Sequence, residues 1–273
     1  MATLRTVTVK SSGGDYTTLQ AAETGEQGNL VSLDRELLIE CYALTDTTAV
    51  TFAGWTTDAT RFVRVEAASG AGFNGAFTTT GRYTLDITAA GIYGLNIANA
   101  SAFTLKMKGI QMRKTGGSGS GYRLTMGNAT ANNGVELDSC YLEVGTGSTP
   151  PTNVYVVETD VSTNTLKARN TAFVGGIQRV LLCNNGTMRI NNCVVNGKGH
   201  AAVIGIARVA GTCTVNNTAV FNTNDDFNGT ITATYATGPP LGSGSEQVKR
   251  AWRALVAMAL LTSGSALAQP GDG

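Results

Sequence analysis

Between Phe103 and Phe221 the apolar and polar positions follow one pattern five times over. The copies are Leu105-Lys-Met107-Lys-Gly109-Ile110, Val135-Glu-Leu137-Asp-Ser139-Cys140, Leu166-Lys-Ala168-Arg-Asn170-Thr171, Met188-Arg-Ile190-Asn-Asn192-Cys193 and Cys213-Thr-Val215-Asn-Asn217-Thr218. In each, two apolar residues alternate with polar ones and so share one face of a strand. A small or amide residue and a small apolar residue follow, and a second apolar run begins (Ile110 to Met112, Tyr141 to Val144, Ala172 to Val174, Val194 to Val195, Ala219 to Phe221). The chain is therefore expected to turn a corner there. Asn fits such a corner because it tolerates left-handed backbone and bonds the local chain.

Copies recurring every 22 to 31 residues cannot each enclose a core, but stacked copies can. The expected fold is all-β, a single-stranded right-handed parallel β-helix in which equivalent positions lie above one another at roughly 4.8 Å. Gly109, Ser139, Asn170, Asn192 and Asn217 then form one column, with Asn170, Asn192 and Asn217 as an amide ladder. Ile110, Cys140, Thr171, Cys193 and Thr218 form the next, and Met107, Leu137, Ala168, Ile190 and Val215 an inward column. The alternative, a β-sandwich with Asn-rich turns, would space its strands at ~8–12 residues.

Ahead of the repeats, Thr6 to Lys10 reads as a strand. Thr17 and Gln20 have capping-box spacing, which predicts a short N-terminal capping helix from about Thr18 to Glu26, a lid over the first coil. Leu37 to Leu44, Ala49 to Trp55, Arg61 to Ala67, Tyr83 to Ile87 and Leu95 to Ile97 read as further strands, with Trp55 as a packed corner rather than a sugar-stacking platform. Gly116 to Gly121 and Gly145 to Thr152 are projecting loops, and Thr230 to Tyr235 is the last strand. The domain reading is 1–237 β-helix, 238–245 Gly/Pro/Ser linker and 246–273 apolar helix and tail.

Gly14-Asp15-Tyr16-Thr17-Thr18-Leu19-Gln20-Ala21-Ala22 resembles the opening of pectinesterase-like and other β-helix proteins. Leu38 to Tyr42 and Gly54-Trp55-Thr56-Thr57-Asp58-Ala59-Thr60-Arg61-Phe62-Val63-Arg64-Val65 resemble a group of β-helix proteins encoded by bacteriophages and prophages. Together these stretches cover about the first quarter of the chain. The resemblance implies the pectin-lyase-like fold and a virion origin; many members of the group have no assigned activity.

Composition narrows the chemistry. With 34 Gly, 5 Pro, 14% charged residues and a net charge of +1, long helices are not expected over most of the chain, and no electrostatic footprint for nucleic acid or an anionic membrane is present. Lys106, Lys108, Arg113 and Lys114 are expected on a solvated outer face. Five cysteines without a Cys-x-x-Cys pair form neither a disulfide nor a zinc framework and read as buried thiols. No cofactor or metal motif is present.

Pectinesterase motifs are missing. The polygalacturonase-like pattern is matched only by Asn222-Thr-Asn-Asp225-Asp226 and Gly199-His200, in the wrong order and with Asn224 where an Asp is required. Asp225 and Asp226 are read as turn residues and His200 as a surface residue, so no catalytic residue is assigned.

The tail carries Val248, Trp252, Leu255, Val256 and Leu260 at helical spacing. It also has the three parts of a secretory signal peptide, Lys249-Arg250, Ala254 to Leu261 and Ala266-Leu267-Ala268, at the end opposite to where such a signal acts. Its apolar run is shorter than the ~20 residues of a membrane span. The helix is read as an assembly device that docks on the solenoid or on sister subunits; a membrane-associating tail and a fused segment are the alternatives.

The functional expectation is a non-enzymatic phage virion protein, a homotrimeric capsid decoration or cement protein in contact with phage capsid or tail proteins. With a first strand expected at Thr6, no separate particle-binding domain is expected before the helix. The alternatives are a small tailspike or receptor-binding protein recognising a host surface glycan, and a secreted carbohydrate-active enzyme. A groove of aromatics and paired carboxylates would favour either glycan reading, and a smooth face packed on sister chains would favour decoration.

Overall fold

The computed structural model describes residues 2–88, 94–115, 124–126, 133–145, 155–175, 178–198, 203–221 and 223–234, with the backbone alone for 124–126 and 234. The chain enters through β1 (Thr3–Val9) and helix α1 (Leu19–Glu26). It then repeats three strands per coil: β2 (Arg35–Cys41), β3 (Leu44–Asp46), β4 (Val50–Phe52); β5 (Val63–Ala67), β6 (Tyr83–Ile87), β7 (Leu95–Ile97); β8 (Phe103–Lys108), β9 (Gln111–Lys114), β10 (Leu124–Met126). Next come β11 (Asn133–Asp138), β12 (Tyr141–Val144), β13 (Val157–Thr159); β14 (Thr165–Arg169), β15 (Ala172–Gly175), β16 (Arg179–Cys183); β17 (Thr187–Asn191), β18 (Val194–Asn196), β19 (Ile204–Arg208); and β20 (Thr212–Asn216), β21 (Ala219–Phe221), β22 (Asp225–Asn228), with β23 (Thr232–Thr234) beginning another coil.

Each coil gives one strand to each of three sheets. The first sheet runs β1-β2-β5-β8-β11-β14-β17-β20-β23, the second β3 through β21 and the third β4 through β22, every third strand in order. All pairings are parallel. The architecture is an all-β parallel solenoid.

The five copies stack as their alternation predicts. Met107 pairs with Leu137, Leu137 with Ala168, Ala168 with Ile190 and Ile190 with Val215, and all five are buried. The corner column has positive φ throughout: Gly109 70°, Ser139 54°, Asn170 52°, Asn192 50° and Asn217 45°. This left-handed residue turns the chain without interrupting the ladder. The corner N–H of Gly109, Ser139, Asn170 and Asn192 bonds the carbonyl of Asp138, Arg169, Asn191 and Asn216 in the next coil, at 3.0 to 3.2 Å. Two residues on, the N–H of Tyr141, Ala172, Val194 and Ala219 bonds back to the preceding coil.

Cys and Thr do the same work in the adjoining column. Thr171 and Thr218 Oγ1 donate to the carbonyl two residues back and accept from the N–H of Cys140 and Cys193 one coil earlier. Cys140 and Cys193 Sγ make the matching contact to Asp138 and Asn191 carbonyls. All five thiols are free and buried, and burial pushes Cys140, Cys193 and Cys213 up to about 12.

Several expectations are corrected. Each repeat holds three strands, not two. β1 starts at Thr3 rather than Thr6. The capping box does not form: Thr18 is the N-cap and accepts from Ala21 N, while Gln20 reaches across to accept from Thr51 N. Further ties of α1 are tertiary. Asp46 accepts from Leu19 N at 2.7 Å and from Tyr83 Oη, and the buried Glu23 accepts from Trp55 Nε1 and Ala53 N at 3.0 Å. α1 thereby packs on β1, β2 and β4, and Trp55 is a buried corner residue.

The corner can be tested directly. Asn192→Val puts a β-branched residue at φ 50° and is expected to lower stability in urea by about 1–2 kcal/mol, whereas Asn192→Gly keeps the conformation and loses only the side-chain bonding. A Val variant as stable as the parent would show that the corner does not constrain the stack.

Candidate functional site

The outward side chains of the first sheet stand in two columns set by its register. Arg64, Lys106, Glu136, Lys167 and Arg189 follow one another from β5 to β17, and Glu66, Lys108, Asp138, Arg169 and Asn191 run beside them. All of them except Arg189 line an open cavity of about 520 Å³, with Phe62 at one end. β8 thus presents two cations, β11 two carboxylates and β14 two cations.

Ion pairs cross from coil to coil. Lys167 Nζ lies 2.8 Å from Glu136 Oε1, Lys106 Nζ 3.8 Å from Oε2, and Arg169 2.8 Å from Asp138. Arg64 pairs with Glu36 and Glu66 at 3.0 and 2.6 Å. Lys106 also stands 3.8 Å from the centroid of the Phe62 ring, a cation–π contact. Partial burial pushes Glu136 up, but the hydrogen bond from Lys167 and the charges of Lys167, Lys106 and Arg169 outweigh it and hold the carboxylate below its ordinary 4.5. A carboxylate kept ionised in this way is a poor general acid.

The second sheet's outer face is covered over its N-terminal half. The segment 68–82 crosses it, bonding Phe73 N to Gly109 O and Thr78 N to Gln111 Oε1. Phe73 and Phe77 pack on Tyr141 with centroids 5.4 and 5.2 Å apart, and Arg113 lies over Phe77 while pairing with Asp86. The expected solvated basic face is therefore two faces. Lys106 and Lys108 point outward from the first sheet. Arg113 and Lys114 follow the corner on the second, where Lys114 aligns with Ile87 and Val144 and is buried. That burial lowers its pKa.

In the Asn column, Asn217 Nδ2 donates to Asn192 Oδ1 at 2.6 Å, and beside it Asn216 donates to Asn191 at 2.9 Å. Asn170 Nδ2 turns instead to Asp138 Oδ1 at 3.2 Å. Asp225 and Asp226 lie in β22, not in a turn, because β22 pairs with β19; Asp226 accepts from Thr223 Oγ1. His200, the linker and the tail positions Val248, Trp252, Leu255, Val256 and Leu260 lie outside the described residues. Among the described residues no group of His, Cys, Asp and Glu is placed to hold a metal, and no helix is long and apolar enough to cross a membrane.

The cavity residues beyond Lys106 and Lys108 were missed by sequence reasoning, although the signal was present. The polar positions of successive copies read Lys-Lys, Glu-Asp and Lys-Arg, a reversal of charge from coil to coil. No protein-family model and no curated protein matches the sequence.

The depressed pKa of Glu136 fixes a sign. Its contribution to stability is complete above the unfolded value near 4.5 and is lost as the pH falls through the lower folded value. Urea unfolding followed downward from pH 5 is expected to show a loss that Glu136→Gln reduces. An unchanged acid limb in that variant would show that Glu136 is not stabilised by its lysines.

Proposed function

We propose that the chain is a non-enzymatic structural protein of a bacteriophage virion. In this reading it is a right-handed parallel β-helix, closed at its N-terminal end by α1, that assembles as a homotrimer and decorates or cements a capsid. The observation that carries the reading is the use made of the carboxylates on the open face. Glu136 and Asp138 are each engaged by cations of the next coil, which favours stacking over proton transfer. A solenoid bonded evenly along its length also supplies long rigid faces for sister chains and a particle surface. Val248, Trp252, Leu255, Val256 and Leu260 provide an apolar assembly contact, each able to contribute on the order of 1.5–3 kcal/mol when fully buried.

A second reading, a small tailspike or receptor-binding protein recognising a host glycan, is favoured by the cation-rich cavity beside Phe62.

Light scattering is expected to give three times the 28.2 kDa chain mass, and imaging is expected to find the protein on the intact particle that encodes it. A monomer absent from particles would overturn the proposal. So would release of product from a polysaccharide that disappears in Glu136→Gln. Deleting residues 246–273 is expected to leave the β-sheet circular dichroism intact while abolishing the trimer; a truncated chain that still trimerises would move the assembly contact to the solenoid faces.

A further inference from the structure

The charges of the cavity form rows, one per coil. Lys106 and Lys108 on β8 and Lys167 and Arg169 on β14 flank Glu136 and Asp138 on β11. Two strand spacings separate the cation rows, about 9–10 Å. The rows do not neutralise one another. Glu136 is shared between Lys106 and Lys167, and among the described residues no ion pair engages Lys108, which is exposed. Five cations line the cavity against three carboxylates, and the exposed Arg189 extends the positive column past Lys167.

We propose that this face binds a linear acidic polysaccharide with one carboxylate on every second sugar, lying along the solenoid axis and across the strands. The spacing of the rows selects the class. Anions about 9–10 Å apart meet the β8 and β14 rows together. The uncharged sugar between them lies over Glu136, whose Oε2, 3.8 Å from Lys106, has lone pairs free to accept from sugar hydroxyls. A polymer charged on every unit would place an anion against Glu136 and Asp138. A nucleic-acid strand, with a phosphate every ~3.4 Å of helix axis, would place more. Phe62 at the end of the cavity offers apolar surface to the C–H face of a ring. The inference does not depend on the virion assignment, since binding to a soluble glycan is read apart from any particle.

The test is titration calorimetry of the full chain with hyaluronan oligosaccharides, which carry a carboxylate on alternate sugars. Uncharged chitin oligosaccharides, oligogalacturonate with a carboxylate on every ring, and oligothymidine serve as comparisons. Hyaluronan is expected to bind more tightly than all three and to weaken as salt rises. Lys108→Ala, which breaks no ion pair among the described residues, is expected to weaken it about tenfold with circular dichroism unchanged. Absence of hyaluronan binding, an unchanged affinity in Lys108→Ala, or equal or tighter binding of oligogalacturonate or oligothymidine would overturn the proposal.

Discussion

The rest of the structure depends on the left-handed residue that follows five successive strands of the first sheet, β8, β11, β14, β17 and β20. At Gly109, Ser139, Asn170, Asn192 and Asn217 the chain turns, while the corner N–H of the first four still bonds forward. A stack in which every coil turned at a slightly different place would leave buried backbone groups unpaired, each costing about 1–3 kcal/mol. It would also slip the strands, and a slip of one residue moves the inward column to the solvent face. Fixing the corner fixes both.

Once the corner is fixed, coil length is free to vary. Copies 22 to 31 residues apart align residue for residue on the first sheet, because the difference is taken up after the second and third strands. In the earlier coil that lacks the tight corner, the long β5–β6 connection, segment 68–82, lies over the second sheet, where Phe73 and Phe77 meet Tyr141 from a coil two further on. The solenoid interior is one continuous apolar cluster from Val7 to Val220. The faces outside it are the part of the molecule that the stacking rule does not dictate.

Charge is organised on the open face by that stacking. A strand contributes outward residues two apart, and the register sets them beside the equivalent residues of the next coil. Lys-Lys, Glu-Asp and Lys-Arg therefore become rows, with pairs such as Lys167 to Glu136 that are 31 residues apart in the chain. Exposed pairs of this kind contribute little each, ~0.2–1 kcal/mol, so their pattern bears on recognition more than on stability.

The sequence by itself determined the inward column, the corner and the parallel stacking of the five copies, because alternation and a left-handed Asn or Gly are local properties that any one copy displays. It did not reveal the third sheet. β13 and β16 are buried along nearly their whole length, since Tyr155, Leu182 and Ala207 pack on the outside of that sheet, and a strand covered on both faces shows no alternation. Nor did it show what holds α1, because Asp46 and Glu23, which anchor it, act through contacts 27 and 32 residues apart in sequence. Lys114 was read as solvated, yet it follows a corner that sends it inward beside Ile87 and Val144. The charge rows were implicit in the aligned copies, but the individual pairings, Lys167 with Glu136 and Arg169 with Asp138, were decided only by the tertiary structure, because a long side chain on one strand can reach the strand on either side of it.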